Sequence, residues 1–237
     1  MPEPKESKAV VLSTKAFGES DLVVHLCSPF GKVKAIAKGA KKSKRRFLNA
    51  LEPFTYIEAL LVPSRTSGLF RMDSAIILES FPALRTSPPA FALASLACEL
   101  VQLWTVEQDP QHRVFELLLW HLTQMERGSS PVLDTLFFKV RLLSIIGYGP
   151  DWGKCIRCLA DQGNEGNCPV KGPCKRMGAE PGTFRTLEFI SKRHISELSR
   201  LRVSDRTLKQ AWEITRQLHI RHLHKVPASY KVLSKLL

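Results

Sequence analysis

The chain has no run of apolar residues approaching the roughly 18 that a membrane-spanning helix needs. Its opening residues, MPEPKESKAV, set Glu3 and Glu6 where a secretory leader would be continuously apolar, so a cytoplasmic, soluble protein is expected. Acid is also scarce: 22 Asp and Glu face 35 Lys and Arg, a formal charge of +13. A field of that sign draws in polyanions, nucleic acid first among them, and acidic protein tails as well. There is no Walker lysine loop, H-E-x-x-H pair, nucleophile elbow or dinucleotide-binding glycine run. The sequence therefore reads as a binding protein and not an enzyme. Six cysteines at uneven spacing do not form the framework of a secreted disulfide scaffold.

What is present is unevenly distributed. Residues 1–80 hold 13 cations against 8 acids, residues 81–150 hold 5 against 6, and residues 151–237 hold 17 against 8. Eight of the first thirteen cations fall between positions 32 and 46: Lys32, Lys34, Lys38, Lys41, Lys42, Lys44, Arg45 and Arg46. No acid interrupts them. A charge run of this kind is either a solvated, self-repelling loop or a phosphate-binding surface. The missing acid and the flanking strand-like segments favour the second, and these eight residues form the expected DNA contact. Flexible lysines suit contacts that ignore sequence, whereas the arginines also grip phosphate through two bonds or stack on bases. Phe47, just beyond, is expected to be the apolar anchor of the loop, with base stacking as its alternative.

Residues 8–17, 20–27, 32–38, 54–63 and 69–79 are short, partly alternating and rich in Val, Ile, Phe and Leu, with Gly-, Pro- and Ser-containing turns between them. Five strands in about eighty residues predict a small closed barrel of the oligonucleotide/oligosaccharide-binding (OB) type, a fold that holds nucleic acid on its sheet face and loops. Periodicity alone equally allows an SH3-like barrel. After Phe81-Pro82 the period changes. Leu93, Leu96, Leu100 and Trp104 share a helical face, as do Val114, Leu117, Leu118, His121, Leu122 and Met125, and then Leu133, Leu136, Phe137, Val140 and Leu143. A further stripe runs over 187–202, and Ser204 caps another helix of about twenty residues. The predicted organisation is a barrel domain over 1–80 and an all-α domain over 81–237, with a cysteine-rich insert at about 150–182.

In that insert, Cys155, Cys158, Cys168 and Cys174 space as C-x2-C-x9-C-x5-C. Two thiolates from a C-x-x-C turn grip one ion, and a second pair completes a tetrahedral site, so structural zinc is expected, with an iron–sulfur cluster and unligated thiols as alternatives. Four thiolates leave no position open for water, so even bound metal does not predict hydrolysis. Cys27 and Cys98 stand alone in apolar stretches and are expected to be buried and inert.

The segments FGESDLVVHLCSPFGK (Phe17 to Lys32), AKGAKKSKRR (Ala37 to Arg46) leading into LEPF, and LLSIIGYGPDWGKCIRC (Leu142 to Cys158) resemble, in order and separation, the bacterial recombination mediator RecO family. The resemblance implies an N-terminal OB barrel, a helical C-terminal domain and a zinc-binding cysteine module. It also implies binding of single- and double-stranded DNA, annealing of complementary strands, and cooperation with RecR to load RecA onto DNA coated by single-strand-binding protein. Family members commonly close the metal site with a second C-x-x-C, whereas here the second pair is Cys168 and Cys174. The resemblance further implies that the acidic, apolar-ended tail of single-strand-binding protein docks on the helical domain, where Lys192, Arg193, Arg200, Arg202, Arg206 and Lys209 supply charge. Two other readings stand beside it: a metal-dependent nucleic-acid-processing enzyme using Glu19, Asp21 and Glu52, and a basic scaffold for protein partners.

Overall fold

The computed structural model describes residues 3–43, 45–64, 68–128, 130–152, 179–193, 197 and 201–236. They divide into two compact units, one of Met1–Pro131 with Pro227–Leu237 and the other of Val132–Val226.

Five strands open the first unit: β1 (Lys5–Phe17), β2 (Asp21–Ser28), β3 (Gly31–Ala37), β4 (Tyr56–Pro63) and β5 (Phe70–Glu79). They close into a barrel in the order β1-β2-β3-β5-β4, with β1 antiparallel to both β2 and β4 and β3 parallel to β5. This is the five-stranded OB-type barrel, which periodicity alone does not separate from an SH3-like one. The two-residue period of the strands sorts the faces. Val24, Leu26, Val33, Ala35, Ile57, Ala59 and Met72 fill the interior, and His25, Lys32, Lys34 and Ile36 lie outside. A register shift between Val11 and Ser13 bends β1, so that Ser13, Lys15 and Phe17 continue on the outer face.

The connection from β3 to β4 plugs the barrel. Phe47, Ala50 and Leu51 belong to the barrel core, and Phe47 is only 3% exposed. The expected anchor role of Phe47 is what the structure shows. A little further on, Phe54 takes a left-handed backbone (φ 74), and its N–H donates to the Val11 carbonyl at 2.8 Å.

Helices α1 (Pro82–Thr86), α2 (Pro88–Trp104), α3 (His112–Glu126) and a C-terminal helix, α7 (Ala228–Leu233), belong to the same unit as the barrel. Prolines at the first turns of α1 and α2 start each helix where an N–H has no partner to lose. Arg85 ties α1 to the plug, donating to the Pro53 carbonyl at 2.9 Å and the Thr55 hydroxyl at 3.0 Å while pairing with Glu52 at 3.3 Å. Glu99 of α2 accepts from the N–H groups of Ala228 and Ser229, satisfying the open end of α7.

The second unit contains α4 (Pro131–Ile145), α5 (Pro181–Lys192) and α6 (Asp205–Leu223). The predicted cap is present, with the Ser204 hydroxyl accepting from Thr207 N–H at 3.2 Å. Of the stripe expected over 187–202, residues 187–192 are helical with Arg193 as an extended cap, Glu197 is helical and Leu201 lies in irregular chain; residues 194–196 and 198–200 lie outside the described residues. Between α4 and α6, Lys139 is fully buried, donates to the Trp212 carbonyl at 3.2 Å and lies 3.9 Å from the Trp212 ring. Burial, then the neighbouring Lys139, pushes the His219 imidazole down to about 3, so it is neutral in the fold. Among the described residues no helix is long and apolar enough to cross a membrane.

Candidate nucleic-acid interface

The basic stretch begins where β3 ends. Gly39 adopts a left-handed backbone (φ 67), which a side chain would resist, and turns the chain into a single 3-10 turn at Ala40–Lys42. The loop is fastened at both ends. Its Gly39 N–H donates to the Asp21 carboxylate at 2.8 Å, its Lys41 N–H to the Ser20 carbonyl at 3.0 Å, and its Lys41 ammonium to the Gly18 carbonyl at 3.1 Å. At the far end, Arg46 donates to the Lys38 carbonyl at 2.8 Å, and its own carbonyl accepts from Ala75 N–H of β5 at 2.9 Å. The Gly39 N–H, aided by Ser20, Lys38 and Lys41, holds the Asp21 carboxyl below its usual range.

The eight predicted contacts therefore divide. Lys38, Lys41, Lys42, Arg45 and Arg46 are exposed on this tip. Among the described residues no carboxylate forms an ion pair with any of the five. Arg46 stabilises the loop's own shape as well as adding charge. Lys34 lies on the outer face of β3, directly across from His25. Lys44 lies outside the described residues.

Lys32 does not join them. Its ammonium donates to the Gln102 carbonyl at 2.9 Å and the Thr105 carbonyl at 2.6 Å, at the C-terminal end of α2. Those carbonyls carry the negative end of the helix dipole and otherwise lack partners, so a lysine there caps the helix. Burial lowers the Lys32 pKa, as expected of a cation withdrawn from water.

Two residues outside the basic run share this face. Lys15, on β1, and Lys34 both depress the His25 imidazole, after burial itself. Phe17 ends β1 opposite Asp21 and is 55% exposed. A charge count passes over both; alternation carried across the β1–β2 pairing would have found them.

The N-terminal model of the recombination protein O family matches residues 1–81, the whole barrel, and its C-terminal model matches residues 85–231. The chain belongs to this family. A DNA repair protein RecO from Syntrophus aciditrophicus is 31% identical over 248 aligned positions, covering 98% of this chain and 95% of that one. Another from Anaeromyxobacter sp. (strain K) is 37% identical over 184 positions, covering 75% of this chain and 71% of that one. A third, from Desulfatibacillum aliphaticivorans, is 28% identical over 252 positions, with 98% and 97% covered. Membership in the recombination protein O family sets the chain in recombinational DNA repair.

Elsewhere, three of the six cations expected to receive a protein tail form ion pairs. Lys192 pairs with Glu188 at 2.6 Å, Arg193 with Glu197 at 3.6 Å and Arg206 with Glu180 at 3.0 Å; Arg200 lies outside the described residues. A cavity of about 420 Å³ opens instead between α1, α2 and α7, lined by Arg85, Phe91, Ala92, Ser95, Val232 and Leu236. The cysteines 155, 158, 168 and 174 also lie outside the described residues. Among those described, no group of three or more His, Cys, Asp or Glu residues is arranged to hold a metal ion. Cys27 and Cys98 are buried as expected, and burial raises both thiols, Cys27 to about 12.

Proposed function

We propose that this protein is a non-enzymatic, cytoplasmic recombination mediator that holds single- and double-stranded DNA on the outer face of its barrel. In this reading it anneals complementary strands and, with RecR, assists RecA loading onto strands coated by single-strand-binding protein. The observation that carries the reading is the tethered tip: five exposed cations without an ion-pair partner among the described residues, on a loop fastened to the β1–β2 turn of an OB-type barrel. Fixed charges of one sign neutralise phosphates whatever the base sequence, as pairing two strands by their own complementarity demands. Two of the three acids an enzyme reading would use have structural duties, since Asp21 holds Gly39 and Glu52 pairs with Arg85.

The cavity beside α7 is the proposed seat for the tail of single-strand-binding protein. Phe91, Val232 and Leu236 offer an apolar floor to a terminal apolar residue, and Arg85, whose charge is shared with Glu52, is the cation in the lining. One annealing experiment with two arms tests both statements. The protein should speed annealing of bare and of coated complementary strands, without magnesium-dependent cleavage. Val232→Glu, an exposed substitution, should abolish the effect on coated strands and leave it intact on bare ones. Cleavage, or no annealing of bare strands by the native protein, would remove the mediator reading; equal behaviour of the variant in both arms would remove the seat.

The four cysteines suit a resident zinc ion by donor chemistry, since four soft thiolates form a closed tetrahedral set. Cys155 and Cys158 would grip the ion from one turn, and Cys168 and Cys174 from across a loop rich in Gly and Pro. The ion would supply cross-linking energy to a segment with few apolar residues of its own. Metal analysis should find about one zinc per chain, and chelation should lower the thermal midpoint. Metal-free protein with an unchanged midpoint would exclude the site, and iron with sulfide in its place would identify the cluster instead.

A further inference from the structure

We propose that Phe17 is a stacking platform for an unpaired base, making the barrel's tip selective for single-stranded over duplex nucleic acid. The inference rests on the reading of the basic loop given above and adds to it a residue with a different chemistry.

Exposed apolar side chains scattered singly over a surface require no explanation. Phe17 is distinguished by its surroundings. It closes β1 at the turn that, in OB-type barrels, belongs to the ligand-binding loops. That turn is bound to the cationic loop through Gly18, Ser20 and Asp21, so the ring and the loop cations share one tip. Alternation along β1 puts Phe17 on the same outer face as Lys15, and strand pairing carries that face on to Lys34.

The barrel's other aromatic rings are occupied. Phe47 is in the core, Phe70 packs against it, Phe54 meets Phe91 edge to face with centroids 5.0 Å apart, and Tyr56 packs near Phe115. Phe30 is nearly as exposed as Phe17, at 48%, but the Lys5 ammonium lies 3.2 Å from the centre of its ring. Among the described residues no ring or cation covers Phe17.

A flat hydrophobic ring beside phosphate-binding cations is the pairing with which sequence-tolerant single-strand binders work: charge follows the backbone, and any base offers a face to stack. A duplex keeps its bases stacked on one another and presents none. The ring should therefore add affinity for single strands alone, and without counterion release it should leave the salt dependence unchanged.

The test compares binding of a labelled oligothymidylate and of a blunt duplex across a salt series. The variants are Phe17→Ala, Phe17→Leu and Phe17→Trp, all at an exposed position and each checked for an unchanged thermal midpoint. Ala and Leu should lower single-strand affinity about 10-fold or more, with duplex affinity and both salt slopes unaltered, while Trp should match or exceed the native protein. Full affinity in the Leu variant would mean that the side chain acts by apolar bulk and not by its π face, and would overturn the proposal. Equal losses on duplex and single strand, or a changed slope, would show that Phe17 acts through the loop's shape, which also overturns it. Failure of the basic loop itself is seen separately, in substitutions of its cations.

Discussion

Replacing Lys38, Lys42 and Arg45 together by Ala should weaken single-strand binding roughly 50-fold near 0.15 M salt and flatten the slope of log K against log salt by about 2. Both figures follow from about 0.7 in slope for each phosphate that the protein no longer neutralises on a single strand. These three residues are chosen because their side chains are exposed and form no ion pair among the described residues. Arg46 is left in place, since its bond to the Lys38 carbonyl shapes the loop and its removal would mix charge loss with disorder. The loss should be nearly the same for any base sequence, because phosphate contacts position a strand without reading it. A titration in which the triple variant keeps its native affinity and slope would make the tip a solvated turn, and the DNA site would have to be sought elsewhere.

Gly31→Ala should be the most damaging single methyl addition in the first unit. Gly31 starts β3 with a backbone φ of 101, and a Cβ there would lie 2.1 Å from the Asp109 carbonyl oxygen. The neighbour is main chain and is tied to the same strand, because a parallel bridge joins Glu107 to Lys32 through the bond from Gln108 N–H to the Lys32 carbonyl at 2.9 Å. Neither strand nor loop is able to give way cheaply. Backbone strain and the disrupted close approach together should cost about 3 kcal/mol or more, a fall of about 10 °C in the midpoint of a unit this size. A thermal melt within a degree or two of the native protein, at roughly that precision, would show that the α2–α3 connection does not grip the β2–β3 turn.

The barrel was readable from the sequence because a strand's core-facing residues recur at every second position and its turns are marked by Gly, Pro and Ser. The five segments differ from the observed strands by only a few residues at their ends. Helix starts were legible for the same local reason, as at Ser204. Lys32 marks the limit. In the sequence it is one more cation of a dense run, but its ammonium lies on carbonyls about seventy residues further along the chain. No count of charges reveals that meeting, which exists only once α2 has packed on the barrel. Phe17 and Lys15 were hidden differently. Each is separated from the basic run by β2, and they join it only through strand pairing. The assignment of Phe47 to the core was reachable because an isolated aromatic after a polar loop has more apolar area to lose in water than one stacked base would recover.

The connection between β3 and β4 contains two kinds of position interleaved within a dozen residues. Gly39, Arg46, Phe47, Ala50 and Leu51 answer to the barrel, through a left-handed turn, a carbonyl bond and three buried side chains. Lys42 and Arg45 point outward and answer to whatever the protein binds. Such a segment is a cassette: its outward letters are free to be rewritten for a longer, shorter or differently charged ligand while the inward letters keep the barrel closed. Selection on binding and selection on folding then act on different residues of the same loop, and neither has to wait for the other.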